Sequence, residues 1–329
     1  MSVLYLTEAE VSGLLTMNLA LEATEAAFRK LALDEAENMP RQRCRTDRVM
    51  LHVLPAAVKT FGVLGFKAYT ATSEGARFHI FLYDGRTGAL SAILEADALG
   101  QFRTGAASGV ATKLLARKDA ATVGLFGTGK QARTQLLAVC KVRNIRTAFV
   151  YGRDAGRRKA FAEKLAGETG VSVVPVDKPE DAAAGQDIII TATSAREPVL
   201  KGEWVSEGTH LNLIGSNFLA KSETDVEVFR RATCVTVDSK EQAKLEAGDF
   251  VKPLEAGVLQ WSDVHDLAPV LIGRYPGRET PKDVTIFKSL GLGIEDIALA
   301  AKILVLARER GIGRSEEHTS ELQSPYVIS

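Results

Sequence analysis

The sequence has few cysteines, no excess of charge of either sign and no long hydrophobic run. Its 329 residues include three cysteines, Cys44, Cys140 and Cys234, which lie far apart and lack metal-ligand spacing. We therefore expect free thiols in a reducing compartment, which favours a cytoplasmic location, and no bound metal. Lys plus Arg and Asp plus Glu each number 41, so the composition predicts neither a nucleic-acid nor an acidic-membrane partner.

Two further absences narrow the class of protein. No apolar stretch is long enough to cross a bilayer, and the N-terminus has no signal-peptide pattern, so we expect no membrane partner. Hydrophobic residues make up 46% of the chain and charged residues 25%, which is typical of a soluble globular protein. A chain of this length is expected to form two domains with ample cores.

Residues 314–329 are excluded from the fold prediction. Arg314 to Ser324 reads R-S-E-E-H-T-S-E-L-Q-S, which resembles the in-frame translation of a sequencing-library adapter. The stretch directly follows a helix end marked by Gly311 and Gly313. We therefore expect an artefact without ordered structure that has replaced the natural C-terminus.

The most informative stretch is Ala121 to Arg133, which reads A-T-V-G-L-F-G-T-G-K-Q-A-R. An apolar run typical of a buried strand leads into G-x-G-x-x-A and then into a helix, which is the first unit of a dinucleotide-binding fold. Gly127 permits the turn, Gly129 lets the backbone approach a pyrophosphate, and Ala132 keeps helix and strand close. The turn residues between them, Thr128, Lys130 and Gln131, are predicted cofactor contacts. The alternative is a purely structural turn.

Strand and helix patterns alternate after this turn. The predicted strands are 148–151, 172–175, 188–191, 210–214 and 234–237, which indicates a doubly wound parallel sheet of the Rossmann type. The first hundred residues instead predict an α+β domain, with helices near 19–36 and 98–116 and strands at 49–54, 63–70, 78–83 and 89–95. The last two strands form a predicted hairpin across Asp84 to Gly88. A final helix is predicted over 294–310.

Several basic residues are candidates for chemistry in the N-terminal region. Lys67 interrupts an apolar strand in G-F-K-A-Y, and it either faces solvent or is buried with a lowered pKa. Arg103 precedes a run of small residues in Q-F-R-T-G-A-A-S-G, and it either grips a carboxylate or phosphate or forms a surface ion pair. Arg41, Arg43 and Arg45 alternate, so strand geometry predicts one shared face, with a solvated face as the default.

Polar residues follow strand-like segments of the second half. Thr193 lies at the end of D-I-I-I-T-A-T-S, Asn217 ends L-I-G-S-N with Lys221 four residues later, and Ser289 lies in T-I-F-K-S-L-G. Because the carboxyl ends of strands in such sheets meet the ligand, we expect these residues to share one site.

The choice of cofactor depends on the end of the second Rossmann strand, Val150-Tyr151-Gly152-Arg153-Asp154. A carboxylate there would bind the adenosine ribose, whereas an arginine suits a 2′-phosphate. Gly152 occupies the position nearest to the expected carboxylate and Arg153 follows it, so NADP(H) is slightly favoured. A shift of one residue would place Asp154 there, which keeps NAD(H) open.

Residues 1–312 together resemble the ornithine cyclodeaminase/mu-crystallin family, which also includes an archaeal type of alanine dehydrogenase and ketimine reductases. The resemblance lies in G-F-K-A-Y, R-T-G-A-A-S-G-V-A-T-K, G-T-G-K-Q-A, I-G-S-N and T-I-F-K-S-L-G-L-G-I-E-D. It implies a homodimer. It also implies a substrate-binding and dimerisation domain over 1–115, completed by the last helix within 294–312, and an NAD(P)-binding Rossmann domain over 116–293.

The resemblance assigns roles to individual residues. Arg41, Lys67 and Arg103 match the substrate-carboxylate and active-site positions, with Arg103 also near the cofactor, although a small register shift would put Arg43 in the place of Arg41. The positions matching the pyrophosphate turn are Gly127, Gly129 and Ala132, and those lining the cofactor are Thr193, Lys221 and Ser289.

Two departures from the family pattern bear on the reaction. Cyclodeaminases carry a catalytic aspartate where this chain has Asn217, and an amide cannot act as a general base. They also carry a glutamate where this chain has His52. Both differences favour an NAD(P)-dependent amino-acid dehydrogenase or imine reductase acting on a small amino acid or imine. The alternatives are a cyclodeaminase with internally recycled NAD and a non-catalytic protein that binds small ligands.

Overall fold

The computed structural model describes residues 3–316, which fold around two eight-stranded β-sheets. The strands of the first sheet are β1 (Val3–Leu6), β2 (Ala36–Asn38), β3 (Gln42–Arg45), β4 (Met50–Val58), β5 (Val63–Ala71), β6 (Ala76–Asp84), β7 (Leu90–Glu95) and β16 (Arg314–Glu316). The strands of the second sheet are β8 (Thr122–Phe126), β9 (Thr147–Tyr151), β10 (Ser172–Pro175), β11 (Ile188–Thr191), β12 (His210–Leu213), β13 (Cys234–Val237), β14 (Val264–Asp266) and β15 (Thr285–Lys288).

Eleven α-helices accompany the sheets within the described residues. They are α1 (Glu8–Leu14), α2 (Met17–Ala32), α3 (Asp97–Leu115), α4 (Lys130–Val142), α5 (Ala155–Thr169), α6 (Pro179–Ala183), α7 (Val226–Arg231), α8 (Lys240–Glu246), α9 (Gly248–Glu255), α10 (Leu267–Leu271) and α11 (Gly293–Arg310). None of these helices combines the length and apolarity that a membrane crossing would require.

The first sheet is mainly an antiparallel meander. Strands β4 to β7 pair in sequence, β1 adds to β7 in parallel, and β3 pairs with the far side of β4. The predicted β6–β7 hairpin is confirmed: Asp84 Oδ1 accepts hydrogen bonds from the N–H groups of Arg86 and Thr87 at 3.0 and 2.8 Å. Helices α2, α3 and α11 bury their apolar residues against this sheet in one continuous core. The last helix therefore packs with N-terminal elements, although the domain boundaries stay a prediction.

The second sheet is entirely parallel and has the order β10-β9-β8-β11-β12-β15-β13-β14. Its central strands are buried on both faces, as continuous apolar runs such as Ile188–Thr191 predict. The chain reverses its direction of strand addition between β8 and β11, so a crevice opens beyond the carboxyl ends of these two strands.

The small residues of α3 allow two helices to approach closely. A Cβ at Gly109 would lie 3.2 Å from that of Ala138 on α4, and one at Gly105 would contact the Thr134 backbone. The expected close packing at this run therefore involves α4, the helix that begins at the glycine turn. This contact joins the first sheet's helices to the dinucleotide-binding unit.

Two predictions about chain ends were wrong. Helix α2 ends at Ala32 rather than at residue 36, because Asp34 adopts a left-handed φ of 59° and the chain then pairs with β4 as β2. The tail was expected to lack ordered structure from residue 314, yet Arg314–Glu316 pairs antiparallel with β1. Gly311 ends α11 at φ 64°, and the following residues extend along the free edge of β1. Residues 317–329 lie outside the described part of the chain.

Candidate active site

The glycine turn has the geometry of a phosphate-binding loop. Gly127 has a φ of 115°, its N–H donates to Tyr151 O at 2.9 Å, and a Cβ there would clash with the Ala192 carbonyl oxygen. Gly129 is the N-cap of α4, and a Cβ there would meet no atom within 4 Å in the described structure. Among residues 3–316 no side chain caps this helix, so its first N–H groups are open to an anionic group. The residues present thus fit a dinucleotide pyrophosphate.

A cavity of about 300 Å³ lies between the strand ends of the second sheet, helix α3 and the first sheet. Seven of the predicted site residues line it: Arg41, Lys67, Arg103, Gln131, Thr193, Asn217 and Ser289. Tyr69, Phe78 and Asp97 also line it, and none of the three was a predicted site residue. Gln131 Oε1 is buried without a hydrogen-bond partner in the described structure, which leaves an acceptor available at the cofactor side of the cavity. No group of His, Cys, Asp and Glu within 3–316 could hold a metal ion.

Lys67 is buried and does not face solvent. It lies on β5 in register with Leu54 and Ile80, on the sheet face that α11 covers, and its side chain is 4% exposed. Its Nζ donates to Asp296 Oδ1 at 3.0 Å, and Gly100 leaves room for it, since a Cβ there would lie 2.8 Å from Nζ. Burial lowers the pKa of Lys67 to about 8, with Asp296 opposing the shift.

Arg103 is also buried and forms no surface ion pair. Its Nη1 donates to Glu295 Oε2 at 2.7 Å and its Nε to Asp296 Oδ1 at 3.0 Å. Both carboxylates lie in the first turn of α11, where the helix dipole favours negative charge. Burial raises the pKa of Glu295 to about 8, and Arg103 opposes that shift. Asp296 is therefore the shared counter-ion of Lys67 and Arg103.

Arg41 reaches the cavity from the residue before β3. Its Nη1 donates to Glu246 Oε2 at 2.6 Å, and its Nη2 donates to the carbonyl oxygens of Leu290 and Gly291 at 2.6 and 3.2 Å. Burial raises the pKa of Glu246, against the attraction of the neighbouring arginines. Arg45 is exposed, so the predicted common face does not place all three arginines at the site.

A buried carboxylate holds the segment that follows β15. Asp238 Oδ2 accepts hydrogen bonds from Ser289 Oγ, Leu290 N and Gly291 N at 3.2, 2.6 and 2.7 Å. Burial raises the pKa of Asp238. Asp238 thus holds the hydroxyl of Ser289, which lines the cavity. Gly291 has a φ of 80°, and a Cβ there would lie 2.5 Å from Arg103 Nη1.

Glu223 fixes the ends of β11 and β12. Its Oε1 accepts from the N–H and the hydroxyl of Thr193, both at 2.7 Å. Its Oε2 accepts from the Thr191 hydroxyl at 2.8 Å and from Gly215 N at 2.7 Å. Burial and the nearby Asp249 raise the pKa of Glu223. Two strand ends that line the cavity are thus tied to one carboxylate.

Eight of the predicted cofactor residues do not line the cavity, and two of them, Lys130 and Lys221, are lysines. Lys130 Nζ pairs with Asp97 Oδ2 at 2.6 Å, which joins the start of α4 to the start of α3. Lys221 Nζ lies 5.4 Å from the centre of the Phe218 ring, in the loop after β12.

The end of β9 carries the residues predicted to choose the cofactor. Gly152 packs against Thr128, whose Cγ2 would lie 2.8 Å from a Cβ at that position. Asp154 Oδ1 accepts from Arg157 N at 2.7 Å and caps α5, so this carboxylate is engaged by the helix. Arg153 is exposed at the same strand end.

Sequence reasoning missed three buried carboxylates that hold residues of the site in place. Asp238, Glu246 and Glu223 have no motif of their own. Glu246 lies 205 positions from Arg41, and Asp238 lies 51 positions before Ser289. The local signal available in the sequence was position: Asp238 directly follows the apolar strand β13, and Glu246 ends helix α8.

Comparison with known proteins confirms the predicted resemblance and fold class. Residues 1–310 match the family model described as the ornithine cyclodeaminase/mu-crystallin family. The alanine dehydrogenase of Archaeoglobus fulgidus is 34% identical over 319 residues, which cover 95% of this chain and 98% of that enzyme. The structure of Thermococcus litoralis Δ1-pyrroline-2-carboxylate reductase in complex with NADH and L-proline aligns with a TM-score of 0.90 at 36% identity, covering 95% of this chain and 99% of that one. An archaeal alanine dehydrogenase dimer with bound NAD aligns with a TM-score of 0.91 at 33% identity, covering 97% and 100%. The chain therefore belongs to the ornithine cyclodeaminase/mu-crystallin family and is a nicotinamide-dependent oxidoreductase of that family.

Proposed function

We propose that this enzyme oxidises or reduces the C–N bond of a small amino acid or its imine, and that Arg41, Lys67 and Arg103 bind the substrate carboxylate. The observation that carries the proposal is that these three buried cations line one cavity together with Gln131 and Thr193, which adjoin the glycine turn. Three cations that converge on one small cavity suit a carboxylate, and holding it fixes the neighbouring carbon for reaction.

The residues of the chain would divide the work as follows. When bound, the nicotinamide ring supplies or accepts the hydride. Arg103 and Lys67 share Asp296, which keeps both cations charged and oriented toward the cavity. A Lys67 pKa of about 8 lets the same ammonium exchange a proton near neutral pH, which suits the proton that C–N oxidation or imine reduction must release or consume.

The polar wall of the cavity supports a dehydrogenase or imine reductase over a cyclodeaminase. Asn217 lines the cavity, but its amide cannot take a proton. Asp97 is the one carboxylate among the cavity-lining residues of the described chain, and it pairs with Lys130. A second amine on the substrate, as in ornithine, would therefore find no free carboxylate.

For the cofactor, we propose a preference for NADP(H) over NAD(H). Arg153 is exposed at the end of β9, while Asp154 is engaged in capping α5. An exposed guanidinium suits a 2′-phosphate better than a ribose diol. The two solved relatives described above hold NADH and NAD, so comparing KM for NADH and NADPH tests the preference directly.

We also propose that the enzyme is a homodimer. An apolar groove of about 520 Å³ runs along α11 and is lined in part by Phe61, Val63 and Val305, of which Val305 is 54% exposed. An exposed apolar groove favours association, and the archaeal alanine dehydrogenase is a dimer. Light scattering coupled to size-exclusion chromatography should give the mass of a dimer, and the mass of a monomer would contradict the proposal.

One spectrophotometric panel tests the proposed reaction. The purified protein is incubated with NADH or NADPH and keto acids plus ammonia or methylamine, with cyclic imines, and with ornithine. We expect cofactor oxidation with at least one keto acid or imine. Ammonia release from ornithine without net change in cofactor absorbance would instead establish a cyclodeaminase. Cofactor binding without any turnover would establish a binding protein.

A further inference from the structure

Arg43 contacts four different groups although it does not line the cavity. Its Nη1 lies 2.7 Å from Glu246 Oε1, its Nε donates to His52 Nδ1 at 3.2 Å, and its Nη2 donates to the carbonyl oxygen of Asn217 at 3.2 Å. The plane of its guanidinium also lies over the Phe218 ring, 4.7 Å from the ring centre. Few side chains other than arginine could make all four contacts, because together the contacts require three directed hydrogen-bond donors and a flat face.

These contacts join both halves of the structure. Arg43 lies on β3 of the first sheet, whereas Asn217 and Phe218 lie in the loop between β12 and α7, and Glu246 ends α8. Glu246 also pairs with Arg41, so both arginines share one buried carboxylate. The guanidinium of Arg43 therefore lies behind the cavity, between the substrate-binding residues and the Rossmann sheet.

The loop that carries Asn217 is anchored at its base and also packs on the start of α9, where a Cβ at Gly248 would lie 2.4 Å from the Phe218 carbonyl oxygen. Glu223 accepts a hydrogen bond from Gly215 N, and Ser216 Oγ donates to Lys221 O at 2.8 Å within the loop. The contact of Asn217 itself with the first sheet is the one that Arg43 makes. Arg43 therefore links the Asn217 main chain directly to the first sheet.

The same guanidinium supports the opposite partner, His52. The His52 ring stacks on Tyr69 with ring centres 4.2 Å apart and planes 4° from parallel, and Tyr69 lines the cavity. Burial and the nearby Arg43 and Arg41 lower the pKa of His52 to about 4, so the ring is neutral and its Nδ1 can accept from Arg43. Arg43 thus braces Tyr69 through His52.

We propose that Arg43 is a positioning residue, which sets the distance between Asn217 and Tyr69 across the substrate cavity. It does so by holding the main chain of Asn217 and the His52 ring that stacks on Tyr69. This inference rests on the proposed function, because its effect is read in turnover of the amino acid or imine. It assigns Arg43 a role separate from that of Arg41, which faces the cavity itself.

The test is a double-mutant cycle. Arg43→Lys and Arg43→Gln are made in the wild-type and the Asn217→Ala backgrounds, and Arg45→Gln, an exposed arginine two residues along the same strand, is the matched control. Each variant is assayed for kcat and KM with the substrate found in the panel, for dinucleotide affinity by fluorescence titration, and for melting temperature.

We expect both Arg43 variants to lower kcat/KM by about tenfold or more in the wild-type background, because misplacement of about 1 Å costs up to 100-fold. In the Asn217→Ala background the further loss should be clearly smaller, since the Asn217 side chain is already gone and only the support of Tyr69 through His52 remains to be lost. Dinucleotide affinity should stay within about twofold, and Arg45→Gln should match the wild type.

Equal losses in both backgrounds, or wild-type kcat/KM in Arg43→Lys, would overturn the inference while leaving the proposed function intact. A parallel fall in dinucleotide affinity and melting temperature that accounts for the lost activity would show a general structural role and would also overturn it. Absence of turnover by the wild type across the panel would overturn both proposals.

Discussion

Replacing Lys67 by methionine should reduce turnover strongly without unfolding the protein. A hydrogen bond to a charged group contributes about 1.5–3 kcal/mol, so losing the one expected between Lys67 and the substrate carboxylate should lower kcat/KM by roughly 10- to 150-fold. Asp296 keeps Arg103 as its partner at 3.0 Å, so the variant leaves no buried carboxylate without a counter-ion. Methionine also fills a similar volume, so the melting temperature should change little.

The pH dependence gives the same prediction a sharper form. Because burial lowers the pKa of Lys67 to about 8, the wild-type enzyme should lose the ammonium charge above that pH. Its kcat/KM should then fall about tenfold per pH unit. Between about 8 and the ordinary lysine value of 10.5, the folded lysine is neutral while the unfolded one is protonated. Stability from this residue therefore rises with pH there, and the loss of activity is not caused by unfolding at Lys67.

Steady-state assays from neutral to alkaline pH measure both effects. Lys59→Met, at an exposed lysine in the turn before β5, serves as the matched control and should follow the wild-type profile. Lys67→Met should show low activity and no alkaline limb near pH 8. An alkaline limb of the same position and depth in Lys67→Met, or activity equal to the wild type, would refute the assignment.

Four further substitutions probe the cofactor turn, the cofactor preference and the buried scaffold. Gly127→Ala should lower the melting temperature and abolish dinucleotide binding, because φ at Gly127 is 115°. Gly129→Ala should melt like the wild type, since its Cβ meets no protein atom, yet it should bind the dinucleotide about tenfold more weakly, because the backbone there approaches the pyrophosphate. Equal melting temperatures of the two variants would contradict this. Arg153→Glu should raise KM for NADPH about tenfold relative to NADH, and an equal change for both would remove its proposed role. Glu223→Gln replaces one carboxylate oxygen by an NH2 group that faces two of the four hydrogen-bond donors, and it should cost about 2–4 kcal/mol in urea unfolding. A loss below about 0.5 kcal/mol would show that the bonds contribute little.

The elements that could be predicted are those whose signal is contained in a short stretch. The strands Ser172–Pro175, Ile188–Thr191 and Cys234–Val237 have the predicted bounds, and the helix predicted over 98–116 is observed as Asp97–Leu115. In each case apolar periodicity and flanking turn residues act within about 20 positions, which is the range of local propensity. The capping box that Thr7 and Glu10 form at the start of α1 is a local feature of the same kind.

The predictions that were wrong concern ends, where neighbours in space decide. Local propensity would have allowed α2 to continue to Ala36. Residues 36–38 instead adopt an extended conformation because they pair with β4 as strand β2. The strand at Arg314–Glu316 forms because β1 offers a free edge beside the end of α11. Neither partner is recognisable from the stretch itself.

The sequence by itself determined the glycine turn and the alternation of strands and helices after it, because each depends on residue type and short-range spacing, while the resemblance to the family singled out Arg41, Lys67, Arg103 and Asn217. Only the tertiary structure decided which carboxylate balances each cation. Lys67 and Asp296 are 229 positions apart in the sequence. Arg103 and Asp296 are 193 positions apart, and Arg41 and Glu246 are 205 positions apart. Burial and the resulting pKa values arise from that packing, since a charge removed from water responds to whatever the fold brings within hydrogen-bonding distance.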